Sequence, residues 1–251
     1  MDNKINILGV NTNRITIPRL HDKISKYIDS QKKALVLNVN IHAINIARID
    51  TEFRKILNSS SIVFCDGYGV KLGAWLLNKN IPKVISYGEW IWDLCELCSR
   101  LDYRLFILGG YPGDSEKAAE RLKRKYSSLN ISGTHDGYFK KNGKENNLVL
   151  KKINSTNPDI LLCSFGMPLQ EKWLDQNYKN INATVFLAGG GCVDLLSERV
   201  PSPPKWLLDT GFRWLFRFTY EPKRVFKRYV FGNPLFIFNI IKQRIKQGKN
   251  G

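Results

Sequence analysis

The sequence predicts an α/β fold: a Rossmann-like open parallel sheet with helices on both faces, followed by a C-terminal helical appendage rich in basic and aromatic residues. Three observations carry that expectation. Short β-rich apolar runs alternate with helical patterns up to about residue 197, the signature of strand–helix–strand units. Several of those runs end in glycine, at 109–110, 137, 166 and 189–191. Beyond Pro201, Pro203 and Pro204, each of which fixes φ and removes a backbone donor, the composition changes. Residues 205–240 hold 11 aromatic side chains interleaved with Lys and Arg. The expected boundary places an α/β catalytic domain over 1–198 and the appendage over 199–251.

Taken in order, 5–10 reads as a strand, 21–30 as a helix, 34–39 as a strand and 44–57 as one helix. Residues 61–65 form a strand that stops at Asp66-Gly67, and a helix follows near 70–77. After an irregular stretch, 91–99 is helical and 104–108 is a buried strand ending in Gly109-Gly110. Asp114 or Ser115 is expected to cap a helix reaching Tyr126, because each offers a side-chain oxygen to free N–H groups. His135-Asp136-Gly137-Tyr138 reads as a turn after a short strand, 144–156 as a helix and 159–164 as an apolar strand ending at Phe165-Gly166. Pro168 suits a first helical turn, opening a helix to Tyr178, and 183–188 is the last strand.

Composition narrows the function classes. The 251 residues are 43% hydrophobic and 24% charged, which excludes wholesale disorder. No run approaches the roughly 18 apolar residues a membrane-spanning helix needs. The opening Met1-Asp2-Asn3-Lys4 leads into a strand-like stretch without the apolar core of a signal peptide, so a cytoplasmic location is expected. Cys65, Cys95, Cys98, Cys163 and Cys192 are an odd number, which points to reduced thiols. Cys95 and Cys98 form a CxxC, but within an apolar helical pattern and without a second pair, so they read as core residues.

Charge is the anomaly. The formal net charge is +17, and from Arg199 onward twelve Lys and Arg face only Asp209 and Glu221. A basic segment of this kind meets an anionic partner: nucleic acid, a membrane surface or a phosphorylated ligand. Arg224, Lys227 and Arg228 fall at i, i+3 and i+4, one face of a helix, with Val225, Phe226, Tyr229 and Val230 on others. A basic–aromatic helix lies in the headgroup plane of anionic membranes, and Arg forks bind diphosphates. The neighbouring Leu235, Ile237, Ile240 and Ile241 favour lipid over nucleic acid.

The strand ends supply candidate chemistry. In open α/β sheets ligands bind outside the carboxyl ends of the strands, so Gly109, Gly110, Gly137, Tyr138, Gly166, Gly190 and Gly191 outline a nucleotide-sized site. No GxGxxG or P-loop is present. Asp66 ends a buried strand, where a carboxylate can act as a general base or simply cap the following helix. Asn38 and Asn40 end the preceding strand, and amides that donate and accept suit sugar hydroxyls. Gln170 and Glu171 begin the helix after Pro168, positioned to hold a ribose or hexose, although Glu171 also suits a helix N-terminus as a charge alone. His42 and His135 have no evident partner, and no metal-ligand spacing or DxD dyad occurs.

These pieces together resemble the WecG/TagA/CpsF glycosyltransferases. The resemblance rests on Ile7–Val10, Asn38-x-Asn40, Asp66-Gly67-Tyr68-Gly69-Val70, Gly109-Gly110, His135–Phe139, Phe165–Trp173 and Gly189–Asp194. In the appendage Trp214–Arg217, Glu221-Pro222-x-Arg224 and Arg228-Tyr229 continue it. It implies transfer of a sugar, N-acetylmannosamine or another hexose, from a UDP-sugar to a polyprenyl-diphosphate-linked sugar at the inner face of the cell membrane. The protein would be peripheral there, and the reaction inverting and independent of metal and cofactor. Carried over by position, Asp66 is the general base, Asn38 stands where the family usually has Thr, and Asn40 helps to shape the sugar pocket. Gln170 contacts a sugar, and Arg217, Arg224 and Lys227 reach the diphosphates. The segment Lys83–Trp90 lacks the Arg and the Gly-Ser/Thr-Asp the family often carries, and Ser202-Pro203-Pro204 replaces Arg-Ala-Pro. A homo-oligomer is compatible with all of this; a basic nucleic-acid-binding protein on an α/β scaffold is the alternative reading.

Overall fold

The structure is a computed structural model that describes residues 4–204, 207, 213–220 and 222–248, without the side chains of Arg213, Trp214, Arg217 and Arg224. The chain opens with β1 (Lys4–Ile7) and β2 (Val10–Asn13), followed by α1 (Ile17–Asp29), β3 (Ala34–Val39), α2 (Ile41–Ile49) and α3 (Thr51–Ser59). Next come β4 (Ile62–Cys65), α4 (Tyr68–Leu76), α5 (Tyr87–Leu101), β5 (Leu105–Gly109), α6 (Asp114–Lys125) and β6 (Ile131–His135). Then follow α7 (Gly143–Ser155), β7 (Ile160–Ser164), α8 (Leu169–Asn177), β8 (Val185–Ala188) and α9 (Cys192–Leu196). The C-terminal segment contains α10 (Arg213–Tyr220), α11 (Pro222–Phe226), a π-helical turn (Lys227–Phe231) and α12 (Gly232–Gly248).

The predicted class is the observed one. Six strands form a parallel sheet in the order β4-β3-β8-β7-β5-β6, flanked by helices. β3, β4, β5, β7 and β8 are buried on both faces, as their continuous apolar runs require, while the edge strand β6 is half-buried. The chain divides into two compact units, one of Met1–Thr16, Asn38–Ser86 and Ser202–Gly251, the other of Ile17–Leu37 and Tyr87–Pro201.

In the first unit the expected strand over 5–10 is instead a hairpin outside the parallel sheet. Leu8 and Gly9 both take positive φ, 51° and 89°, and Ile7 pairs with Val10 across them. Two consecutive left-handed residues are what a tight antiparallel turn demands, and an unbroken run of alternating residues hides it. The single helix expected over 44–57 is also two: Asp50 ends α2 and caps α3, its Oδ1 accepting the Phe53 N–H at 2.9 Å. An Asp inside a helical pattern competes for backbone donors, and here it wins.

The C-terminal segment of this unit packs on α2 and α4. Phe236 and Ile240 are buried, and a Cβ on Gly73 would lie 2.6 Å from the Phe236 ring, so only glycine admits α12 at this distance. Asn45 donates from Nδ2 to the Gly232 carbonyl at 2.7 Å, and Gln243 accepts the Leu8 N–H at 2.9 Å. Among the described residues no helix is long and apolar enough to cross a membrane. Arg224 lies in α11, and Lys227 and Arg228 open the π-helical turn that follows it.

In the second unit β8 pairs in parallel with β3 and β7, and β5 with β7 and β6. Phe106, Ile107, Leu162, Phe186 and Leu187 lie in its core. Neither Asp114 nor Ser115 caps α6; Gly113, at φ 87°, holds the cap position, and the Asp114 carboxylate turns back to accept the Tyr111 N–H at 3.0 Å. Pro168 lies at the cap position of α8, one residue before its first helical residue. All five cysteines are free and buried, and burial pushes their thiols above the usual range for Cys65, Cys95, Cys98 and Cys163. That is the core role expected of them.

Candidate functional site

The first unit carries a polar cluster at the carboxyl ends of β3 and β4. Parallel pairing brings these ends together, with the Asp66 N–H donating to the Val39 carbonyl at 2.8 Å. Asn38 then reaches Asp66 directly: its Nδ2 donates to Asp66 Oδ2 at 2.9 Å. Asn38 is buried, and its Oδ1 has no partner. A buried acceptor without a donor is costly unless a ligand or water satisfies it, so this oxygen is an open position for a substrate O–H or N–H. The helix-cap position of α4 belongs to Gly67, not to Asp66. Asp66 is half-buried, and Gly67 follows at φ 128°, a conformation that suits glycine and turns the chain away from the carboxylate.

Asn40 has a second occupation. Its Oδ1 accepts the Ala43 N–H at 3.1 Å and caps α2. His42, in the first turn of α2, is held neutral: burial and the nearby Arg228 cation push its pKa down to about 4. Lys227 is exposed, and Arg228 lies half-buried beside Tyr229, 5.5 Å from its ring. The side chains of Arg217 and Arg224 lie outside the described residues.

The second unit gathers the glycine turns at the carboxyl ends of β5, β7 and β8. Gly109 and Gly110 have φ of 146° and 73°, and a Cβ on Gly109 would meet Ser164 Cβ at 2.7 Å, so the ends of β5 and β7 approach only through glycine. The N–H groups of these turns bond inward. Gly110 donates to the Ser164 carbonyl, Gly137 to the Gly110 carbonyl at 2.8 Å, and both Gly166 and Gly190 to Gln170 Oε1, at 3.2 and 3.0 Å. Ser164 Oγ donates to the Gly190 carbonyl at 2.6 Å and accepts from the Val193 N–H. Gly191 lies at the cap position of α9. Gly109, Gly110 and Gly137 permit close approach of the chain, Gly166 and Gly190 supply positive φ, and these four N–H groups hold the turns together.

Gln170 and Glu171 are both fully buried, and Gln170 Nε2 donates to Glu171 Oε1 at 2.8 Å. Burial pushes the Glu171 carboxyl up to about 7 despite that hydrogen bond. Around the turns, Tyr111 and Tyr138 are both exposed and lie ring to ring, 4.4 Å apart at 31°. Their hydroxyls are hydrogen-bonded to each other, which pushes the Tyr138 phenol up to about 12. The Arg199 guanidinium covers the Tyr111 ring at 3.7 Å and is locked by Asp114 at 2.7 Å and Asp194 at 3.0 Å. His135 is fixed within its turn, with Nδ1 2.8 Å from the Asp136 carbonyl.

Sequence reasoning named Tyr138 but missed Tyr111 and Arg199, which complete this exposed aromatic and cationic corner. Tyr111 directly follows the Gly109-Gly110 strand end, a position that marks it. Arg199 gives no such signal, because its partner Asp114 is distant in the chain. Among the described residues no group of three or more His, Cys, Asp or Glu is placed to hold a metal ion.

A parallel α/β sheet with an amide-paired carboxylate at the ends of β3 and β4 has the build of an enzyme that handles a polar ligand. The chain belongs to the glycosyl transferase WecG/TagA/CpsF family, whose model matches residues 5–250. It is 27% identical over 240 residues to an N-acetylglucosaminyldiphosphoundecaprenol N-acetyl-beta-D-mannosaminyltransferase of Bacillus subtilis (strain 168), an alignment covering 95% of this chain and 90% of the relative. A Staphylococcus aureus (strain NCTC 8325 / PS 47) protein of the same description is 24% identical over 251 residues, 98% of this chain and 96% of the relative. The protein is accordingly a glycosyltransferase, as the resemblance implied.

Proposed function

We propose that this glycosyltransferase moves N-acetylmannosamine or another hexose from a UDP-sugar to a polyprenyl-diphosphate-linked sugar, with inversion and without a metal, and that Asp66 is its general base. The observation that carries the reading is the Asn38–Asp66 hydrogen bond at the carboxyl ends of β3 and β4. Asn38 orients the carboxylate, which takes the proton of an acceptor hydroxyl. As that O–H bond breaks, the oxygen forms a bond to the anomeric carbon, and the bond from that carbon to the diphosphate oxygen breaks on the opposite face. UDP departs carrying the electron pair. The negative charge developing on it needs a cation, and Arg217, Arg224, Lys227 and Arg228 of the basic C-terminal segment are the candidates.

The relatives' names support a lipid-diphosphate acceptor, and α12 offers a way to meet it. Leu235, Phe238, Ile241 and Ile245 are all exposed and share its outward side, opposite buried Phe236 and Ile240. With Lys242 and Lys246 nearby, this stripe fits the interface of an anionic membrane, which makes the protein peripheral.

The test is transfer from a panel of UDP-sugars to a short-chain lipid-diphosphate N-acetylglucosamine, with a chelator present, by wild type and Asp66→Asn. Transfer by the wild type alone, with UDP raising the melting temperature of both proteins, supports the reading. Turnover by Asp66→Asn within a few-fold of wild type removes the base assignment. A thermal shift with short RNA and none with UDP compounds favours the nucleic-acid-binding alternative.

A further inference from the structure

α4 is apolar almost all round, yet one of its sides stands in solvent. Lys71 is its single charged residue. A helix of that composition belongs in a core or against lipid. Its other sides are accounted for within the first unit. Val70 and Ala74 are buried. Gly69 and Gly73, one turn apart, let neighbouring helices approach: a Cβ on Gly69 would clash with Ile41 of α2, and one on Gly73 would lie 2.6 Å from the Phe236 ring of α12. These contacts fix the rotation of α4, so the same side always faces out. That side carries Tyr68, Leu72 and Trp75, at i, i+4 and i+7, with exposures of 41%, 47% and 68%.

Charge and composition indicate what covers this stripe. Residues 67–86 hold three Lys and 222–248 hold seven Lys and Arg, and neither segment has an Asp or Glu. The two segments pack together: besides the Phe236 contact, Arg244 Nη1 donates to the Leu76 carbonyl at 2.9 Å, at the end of α4. α12 exposes an apolar stripe of its own, so two adjoining helices offer apolar side chains to solvent in a region whose own charges are all positive. An anionic bilayer complements both features at once, with phosphates outside and acyl chains beneath. Trp and Tyr also favour the boundary between headgroups and acyl chains, where an apolar ring and a polar tip are satisfied together.

We propose that α4 is a membrane-contacting helix: Tyr68, Leu72 and Trp75 enter the interface of an anionic bilayer alongside the stripe of α12. Chain connectivity gives this contact a consequence. Tyr68 opens α4 two residues after Asp66, so the stripe starts at the carboxyl end of β4 and runs about 10 Å to Trp75. Resting on the transferase reading, the inference puts Asp66 at headgroup level, where the sugar of a lipid-linked diphosphate lies. The helix that follows the base then binds the bilayer itself, and the C-terminal segment does not do so alone.

The experiment uses the full chain in three arms. All five native cysteines are buried, so the Leu72→Cys protein accepts a polarity-sensitive fluorophore on α4 alone. With phosphatidylglycerol vesicles the emission should shift to the blue and lose at least about half its intensity to lipids brominated along the acyl chain. An unshifted, unquenched probe overturns the proposal. In the second arm, joint Leu72→Ser and Trp75→Ser replacement should weaken sedimentation with the same vesicles at least about tenfold at an unchanged melting temperature, since both side chains are exposed. Equal vesicle binding by this variant and wild type overturns the proposal, and so does a wild-type dimer that the replacement turns into a monomer without lipid, which would make the stripe a subunit interface. Were the double variant to unfold, the fluorophore decides. In the third arm, transfer to an acceptor embedded in vesicles should fall in the double variant, while transfer to a short-chain soluble acceptor keeps its kcat/KM. Equal loss on both acceptors places these residues in the site and not on the bilayer. Absence of transfer by wild type to either acceptor would fail the proposed function and leave the first two arms to decide the docking of α4.

Discussion

Replacing Glu171 by Gln should stabilise the protein at alkaline pH and do progressively less as the solution becomes acidic. The carboxyl is raised from its ordinary 4.5 to about 7 in the folded state by burial. Between those values the folded protein binds the proton and the unfolded chain does not, so stability falls as pH rises. Each pH unit separating the two states is about 1.4 kcal/mol, which makes the full cost of ionising Glu171 about 3 kcal/mol above pH 7. Below pH 4.5 both states are protonated and the cost vanishes. Over an experimental window from pH 5 to pH 8.5, about 2.5 kcal/mol of the difference between wild type and Glu171→Gln should develop. Every other titrating group is common to both proteins and cancels. Urea denaturation of the pair at the two pH values measures it directly, through the midpoint at constant slope. A gap between the two proteins that stays the same from pH 5 to pH 8.5 would show that Glu171 is ionised in the folded state and remove the argument from its burial.

Three further outcomes follow from the geometry. Asn40→Ala should cost about 1 kcal/mol by uncapping α2, whereas Asn40→Ser keeps the cap, so an Asn40→Ser protein of normal stability and lost transfer would assign Asn40 to the sugar and not to the helix alone. Phe236→Ala should cost about 3–5 kcal/mol in urea denaturation by emptying the contact with Gly73, and a loss under about 1 kcal/mol would mean that α12 is not packed there. Joint replacement of Leu235 and Phe238 by Ser should weaken binding to anionic phosphatidylglycerol vesicles by roughly tenfold or more with little change in melting temperature; unchanged sedimentation with vesicles would remove this stripe from the docking surface.

The parallel sheet was legible because its strands are continuous apolar runs of β-branched and aromatic residues, and a strand buried on both faces can read no other way. Asp66 and the glycine turns were legible because they follow such runs directly, and the ends of parallel strands are where ligands bind. Local pattern could not see the Leu8-Gly9 turn or the break at Asp50. Both are decided by backbone conformations that satisfy particular N–H groups, not by hydrophobic period.

The sequence by itself determined the fold class, the basic C-terminal segment and the positions offered at the strand ends, since each depends on neighbours along the chain. Only the tertiary structure decided how those positions are used. It turned the glycine N–H groups inward onto Gln170, gave Asn38 to Asp66, and brought Arg199 to Asp114. It also raised Glu171, a residue whose place at the start of a helix equally suits an ionised charge. Burial made that difference: the free energy of a charge depends on the water and partners around it, and these are supplied by residues that no local spacing connects.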